Sequence, residues 1–149
     1  MKTLIALFTA SIISLSLNGK DFSKDVFKTS DGNLEISFVG HGTLMFEFNG
    51  KVIHIDPTMR EADYSELPDA DLILITHDHG DHLDETAINH VRKNDCQVIM
   101  TQACIEQLED FKDAVIMKNG DSITIKGVDI EAVPSYNIVH VRGNGQAYH

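Results

Sequence analysis

Residues 71–82 limit the choice of fold more than any other part of this chain, because an apolar run leads straight into a cluster of histidines. Residues 71–76 are almost wholly apolar, which predicts a strand buried on both faces, as in sheets that helices cover. The next six residues are His77, Asp78, His79, Gly80, Asp81 and His82. Imidazole and carboxylate groups are ligands that zinc prefers, and active sites of α/β layers lie at strand ends. The segment therefore predicts a metal-binding loop, with Gly80 allowing it to bend sharply.

The flanking sequence predicts strands that alternate with helices. Three short runs, at residues 34–38, 43–48 and 51–55, predict strands, and Asn49 and Gly50 between the last two predict a hairpin. Asp84 is placed to cap a helix over residues 86–93, and residues 60–71 predict an acidic loop. Further on we expect a strand at 97–101, a helix at 102–110 and strands at 114–117, 122–125 and 128–133. This order indicates an α/β layered domain.

The first residues resemble an export signal. Lys2 supplies a positive start, residues 4–17 are apolar, and Ser14 and Ser16 are small residues at the spacing of a cleavage site. The apolar stretch is shorter than the roughly 20 residues that cross a bilayer, so we expect no stable membrane anchor. The expectation is a signal peptide over residues 1–16, an exposed lead-in over 17–32, a domain over 33–149, and a periplasmic or secreted location.

Charge and cysteine content narrow the classes of partner. The 149 residues include 12 basic and 23 acidic side chains, a net charge of -11, which repels phosphate backbones. We therefore expect a small-molecule substrate and no nucleic acid, and homo-oligomer formation stays open. Cys96 and Cys104 lack metal-site spacing, and we expect two buried small side chains rather than a disulfide.

Residues 76–82, Thr-His-Asp-His-Gly-Asp-His, resemble the HxHxDH signature of the metallo-β-lactamase superfamily. The segments at 40–43, 50–51 and 55–57 are similar to the opening of its lactonase-like branch, which includes the ascorbate-6-phosphate lactonases. Residues 132–137 and 143–149 resemble the stretch before the branch's next metal-ligand histidine. The resemblance implies the four-layer αββα fold, of the α/β class as an α+β sandwich, with this chain supplying about the first αβ half.

The same resemblance implies a set of metal ligands. His77 and His79 would hold a first ion and Asp81 and His82 a second, with Asp81 also the catalytic carboxylate and Asp78 without a direct bond. The third histidine of the first site corresponds to His149, with His140 as the alternative. The implied cofactors are two divalent ions, zinc first, with manganese or iron as alternatives.

Complete members of the family continue with an Asp that bridges the metals and a last His, and neither follows here. We therefore expect a fragment or a truncated product that binds metal weakly. For the complete site, the resemblance implies hydrolysis of an ester, lactone or phosphoester by water that two metal ions activate. An iron-dependent oxidoreductase and a non-catalytic metal-binding protein are the alternatives.

Three residues outside the cluster have weaker signals. His41, in a Gly-His-Gly turn, is predicted either to approach the metal loop or to be structural, with no preference between the two. Asp56, at a strand end, is similar to the family's acidic residue behind the metal loop, and a plain Asp-Pro turn is the alternative. His54 alternates with apolar residues and is predicted to be an ordinary sheet residue.

Overall fold

The protein's structure is a computed structural model, and residues 21–135 are described. Seven strands form one sheet in chain order, and two more form a separate hairpin. The sheet strands are β1 (Ser23–Thr29), β2 (Gly32–Gly40), β3 (Thr43–Phe48), β4 (Lys51–Ile55), β5 (Ala70–Leu74), β6 (Arg92–Met100) and β7 (Val115–Ile116). The hairpin consists of β8 (Ser122–Ile125) and β9 (Val128–Glu131), and the helices are α1 (Glu85–Val91) and α2 (Gln102–Ile105).

The first four strands are antiparallel neighbours joined by tight turns. Between β3 and β4, Asn49 and Gly50 have φ angles of 51° and 70°. A two-residue hairpin turn of this kind requires positive φ at both positions, which asparagine and glycine tolerate best. The predicted hairpin is confirmed, and the predicted strands 43–48 and 51–55 have the bounds of β3 and β4.

The strands from β4 to β7 run parallel to one another. Leu72 and Ile73 of β5 point to opposite faces of the sheet, and both are 0% exposed. The predicted burial of this strand on both faces is therefore confirmed. Because β4 and β5 are parallel neighbours, the residues that follow them emerge at the same edge of the sheet.

Helix α1 returns the chain from β5 to β6 and covers part of the core. Asp84 caps it, accepting hydrogen bonds from the backbone of Thr86 and Ala87, as the sequence predicted. Ala87 and Ile88 are buried on its inner side. The core cluster comprises Tyr64, Ala70, Ile73, Ile75, Ala87, Ile88, Val91, Cys96, Val98, Met100, Cys104 and Phe111.

The lead-in over residues 17–32 contains a strand that the sequence did not predict. Structure begins before Asn33, because Ser23–Thr29 forms β1 and pairs along its whole length with β2. All seven residues are exposed, and they belong to the same sheet as strands β2 to β7. Backbone hydrogen bonds to β2 form this strand without burial, and such pairing leaves no apolar pattern in the sequence.

Three other predicted segments differ from the structure in their bounds or their content. The helix at 102–110 ends at Ile105, and the chain then turns before Phe111, which is 1% exposed in the core. Strand β6 begins at Arg92 rather than at residue 97, with a register shift in its pairing to β5. The loop at 60–71 includes a 3₁₀ turn, Tyr64–Glu66, whose first residue is buried.

Cys96 and Cys104 are free and buried, as predicted, and no disulfide joins them. Burial raises the pKa of Cys96 to about 11. Within residues 21–135, no helix is long and apolar enough to cross a membrane. The predicted signal peptide, at residues 1–16, lies outside the described residues.

Candidate metal centre

The histidine cluster lies at the edge of the sheet where β4 and β5 end. Asp56 follows β4, and residues 76–82 follow β5. The backbone N–H of Asp56 donates to the carbonyl of Leu74 at 2.9 Å, which continues the pairing past the strand ends. The local turn is fixed by His79, whose carbonyl accepts from the backbone of His82 at 2.9 Å.

The imidazole of His77 lies against those of the other two histidines of the loop, His79 and His82. The ring of His77 is 4.1 Å from that of His82 and 4.7 Å from that of His79, centroid to centroid. Three imidazoles in contact at a strand end are difficult to explain by packing alone. Three of the predicted ligands are thus brought together, and their role as metal ligands stays a prediction.

Asp56 is buried behind the loop and holds two of its residues. Its side chain accepts from the backbone N–H of Thr76 at 2.7 Å and from the Thr76 hydroxyl at 2.6 Å. One of its carboxylate oxygens also lies 2.9 Å from Nδ1 of His82. Asp56 is 2% exposed and has a φ of 47°. Its carbonyl accepts from the buried hydroxyl of Thr43 at 2.8 Å, so the residue is fixed by backbone and side chain together.

The contact between Asp56 and His82 sets which nitrogen of His82 faces outward. Nδ1 donates to the carboxylate, which leaves the lone pair of Nε2 available to a metal ion. Asp56, His77 and His82 place one ligand atom each within 4.8 Å of one another. Since the Asp56 carboxylate already accepts three hydrogen bonds, we assign it to orienting His82 rather than to binding metal.

Asp81 faces His41, from the turn between β2 and β3. The two side chains approach to 3.2 Å, between Nε2 of His41 and Oδ2 of Asp81. The backbone N–H of Asp81 itself, with the nearby His82 and His41, lowers the pKa of this carboxyl. Asp81 is therefore a carboxylate at neutral pH. His41, Asp81 and His82 also place ligand atoms within 4.8 Å of one another.

Sequence analysis also made predictions for Asp78 and Gly80 of the loop. The carboxylate of Asp78 accepts from Nε2 of Gln107 at 2.8 Å, and the prediction that it makes no metal bond stays untested. Gly80 was predicted to allow a sharp bend of the loop, and this prediction is wrong. A Cβ built at Gly80 would meet only Arg60, at 3.9 Å, and its φ lies outside the positive range. The loop bends without using the conformational freedom of glycine, since the hydrogen bonds to His79 form an ordinary turn.

Gly42 is the glycine that the site requires. A Cβ there would lie 2.7 Å from Cε1 of His82, closer than atoms pack. Beyond the family resemblance, no sequence feature indicates a role for Gly42, because the contact joins a turn to a loop far away in the chain.

The loop after β4 is tied to the start of α1 by a residue that the sequence identified only as a cap. Asp84 accepts from the backbone of Met59 at 2.9 Å while it caps the helix. The segment that follows Asp56 is thereby joined to the element that follows the histidine cluster. Thr76 and Gln107 are further residues of the site that sequence reasoning missed.

The remaining histidines lie apart from this arrangement or outside the described residues. His54 is 0% exposed in the sheet, with Nε2 3.0 Å from the carbonyl of Pro68, as predicted for a sheet residue. His90 is exposed on α1. His149 and the alternative His140 fall outside residues 21–135, so the third histidine stays a prediction.

The donor groups suit a divalent metal ion. Two groups, His41 with Asp81 and His82, and Asp56 with His77 and His82, each bring their ligand atoms within 4.8 Å of one another. His82 belongs to both groups and is oriented by the buried acid Asp56, as metal-binding histidines usually are. The match to a family model decides the wider relationship: the model described as "Beta-lactamase superfamily domain" matches residues 35–149. The chain belongs to the β-lactamase superfamily. The predicted family and fold class are confirmed.

Relatives within the β-lactamase superfamily are named metal-dependent hydrolases. The chain is 30% identical over 116 residues to a UPF0173 metal-dependent hydrolase of Nanoarchaeum equitans, covering 77% of this chain and 50% of the relative. It is 32% identical over 126 residues to one of Thermococcus kodakarensis, covering 77% and 55%.

A solved structure is also similar. It is a protein of Parabacteroides distasonis named as a metal-dependent hydrolase, at 43% identity with a TM-score of 0.74, covering 80% of this chain and 54% of that one. The chain spans about half the length of the curated relatives that it matches over most of its own length.

Proposed function

We propose that this chain provides the first part of a dinuclear metal site that hydrolyses a small ester, lactone or phosphoester. The observation that carries the proposal is the contact between buried Asp56 and Nδ1 of His82, at 2.9 Å. An ordinary surface histidine has no buried carboxylate to fix its tautomer, whereas a metal ligand is commonly held in this way.

In this proposal, His77 and His79 hold one ion and Asp81 and His82 hold the other, with zinc preferred over manganese or iron. His149 is the proposed third histidine of the first site. When bound, such ions activate water at neutral pH and stabilise negative charge that develops on the substrate. The chain's own contribution is to hold Asp81 beside His41 and to present Nε2 of His82.

The protein's charge supports a small substrate over a polymer of phosphates. With a net charge of -11, a nucleic acid would be repelled at distances up to about a Debye length. Hydrolysis is preferred to iron-dependent oxidation because the relatives are named hydrolases. An exported location, with removal of residues 1–16, remains part of the proposal.

Elemental mass spectrometry on the purified chain tests the metal site. We expect bound zinc, manganese or iron in the wild type and its loss in a double variant, His77→Ala with His79→Ala. His90→Ala is the matched control, because it removes an exposed imidazole outside the loop. Equal metal content in the wild type and the double variant would contradict the proposal.

The reaction class is tested on nitrophenyl esters, a lactone panel and nitrophenyl phosphodiesters, with a chelator and then with metal restored. Hydrolysis that is lost with the chelator and recovered with zinc supports the proposal. Metal-dependent oxygen consumption without hydrolysis would favour the oxidoreductase instead. Metal binding without either activity would favour a non-catalytic role for this chain.

A further inference from the structure

His41 is held in an unusual backbone conformation beside the metal loop. Its φ is 47°, a left-handed conformation that non-glycine residues adopt rarely and at a cost. The preceding Gly40, with a φ of 150°, begins the same turn between β2 and β3. Together they direct the imidazole across the turn toward Asp81.

The turn is fitted to the metal loop at two adjacent positions. Nε2 of His41 lies 3.2 Å from Oδ2 of Asp81, and the ring centroids of His41 and His82 are 5.3 Å apart. At the next position, the absence of a side chain on Gly42 leaves room for Cε1 of His82. His41 therefore contacts the carboxylate of Asp81, and Gly42 leaves room for the imidazole of His82.

We propose that His41 is a positioning residue for Asp81: its Nε2–H donates to Oδ2 and would hold the carboxylate in place to bind the second metal ion. The inference rests on the metal site of the proposed function and adds a residue to it. A carboxylate ligand that is fixed by an outer hydrogen bond loses less freedom when it binds metal, and outer partners of this kind affect metal affinity about 10- to 100-fold.

A direct metal bond from His41 is the competing role. The 3.2 Å separation from Oδ2 is within hydrogen-bonding range, and a nitrogen that donates a proton there has no lone pair for a metal. His41 is also exposed, at 55% of its side chain, so the residue can be replaced without opening the core.

The test measures both zinc equivalents by competition with a chromophoric chelator, using the wild type, His41→Ala, His41→Gln and His41→Gly. We expect His41→Ala to weaken one equivalent about 10- to 100-fold and to leave the other unchanged. The amide N–H of His41→Gln can donate to Asp81 and should recover most of the loss. His41→Gly removes the imidazole without backbone strain and replaces His41→Ala if that variant does not fold.

Cobalt(II) substitution supplies a second readout, since the visible spectrum of cobalt reports its ligands. The spectrum of His41→Gln should match that of the wild type if His41 only positions Asp81. A spectrum that loses a nitrogen ligand would overturn the inference, as would a His41→Gln variant no better than His41→Ala.

The failures of the inference and of the proposed function are distinguishable. Two zinc equivalents of unchanged affinity in His41→Ala and His41→Gly would overturn the role of His41 and leave the metal site in place. A wild type without any bound metal would overturn the proposed function, and the inference with it.

Discussion

The buried carboxylate of Asp56 lies 2.9 Å from Nδ1 of His82 and also accepts two hydrogen bonds from Thr76. This single side chain joins the end of β4 to the histidine loop after β5. It fixes the orientation of His82 and the start of the loop together. Asp56 is thus expected to affect both folding stability and metal affinity.

The change Asp56→Asn tests this dual role. The asparagine amide is uncharged and has one accepting oxygen in place of two, so it cannot accept all the hydrogen bonds from Thr76 and His82. We therefore expect the zinc affinity to fall about 10- to 100-fold. The loss of charge-assisted bonds at a buried position is expected to cost about 1–3 kcal/mol of unfolding free energy. Chelator competition and urea unfolding measure the two effects.

Thr76→Val is the comparison variant for Asp56→Asn. It removes the hydroxyl that donates to Asp56 and that also lies 2.9 Å from Nδ1 of His77, but it leaves the contact between Asp56 and His82. We expect a loss of stability with a smaller change in zinc affinity. Equal metal affinity in Asp56→Asn and the wild type would show that Asp56 is purely structural.

Added metal should stabilise the folded chain. A ligand that binds only the native state raises its stability by about 2.7 kcal/mol at a concentration 100 times its dissociation constant. We expect zinc to raise the melting temperature of the wild type and of His90→Ala. The double variant of His77 and His79 should show a much smaller increase. An equal increase in all three proteins would mean that zinc binds elsewhere.

Sequence and structure agree best where the determining interactions are local. Asn49 and Gly50 specify their own turn, and Asp84 caps the helix that follows it within three residues. These features depend on backbone preferences of neighbouring residues. The family resemblance likewise identified the histidine loop, because its ligands lie within six consecutive positions.

Contacts between distant segments could not be predicted in the same way. The approach of His41 to Asp81 and of Gly42 to His82 depends on how the turn after β2 lies against the loop after β5. Strand β1 has no buried residue, and its formation depends on pairing with β2. Sequence analysis left both roles of His41 open because no neighbouring residue distinguishes a contact with the metal loop from a structural turn.

The buried His54 predicts a loss of stability in mild acid. Burial lowers the pKa of His54, and the hydrogen bond to the Pro68 carbonyl opposes this only in part. In the unfolded chain the pKa returns to about 6.5, so below that pH the unfolded state binds more protons. The contribution of neutral His54 is complete above pH 6.5 and decreases as the pH falls from there toward the lower folded-state pKa.

Urea unfolding of the metal-free protein from pH 7.5 to pH 5 checks this dependence. We expect the free energy of unfolding to fall less steeply over that range in His54→Phe than in the wild type. His90→Ala, which removes an exposed histidine, should keep the wild-type slope. A wild-type slope in His54→Phe would assign the acid sensitivity to other groups.

Replacement by alanine should lower the zinc affinity at Gly42 and leave it unchanged at Gly80. A Cβ at Gly42 would lie 2.7 Å from Cε1 of His82, whereas a Cβ at Gly80 would meet nothing closer than 3.9 Å. Neither glycine has a positive φ, so the comparison isolates the steric contact. Nδ1 of His82 is held by Asp56 and would itself lie 3.4 Å from the new methyl group, so a shift of the ring is expected to disturb that hydrogen bond. We expect Gly42→Ala to weaken zinc binding about 10-fold or more and Gly80→Ala to bind zinc like the wild type. Competition with a chelator measures the zinc affinity of both variants. A wild-type affinity in Gly42→Ala would show that the turn shifts while His82 keeps its position.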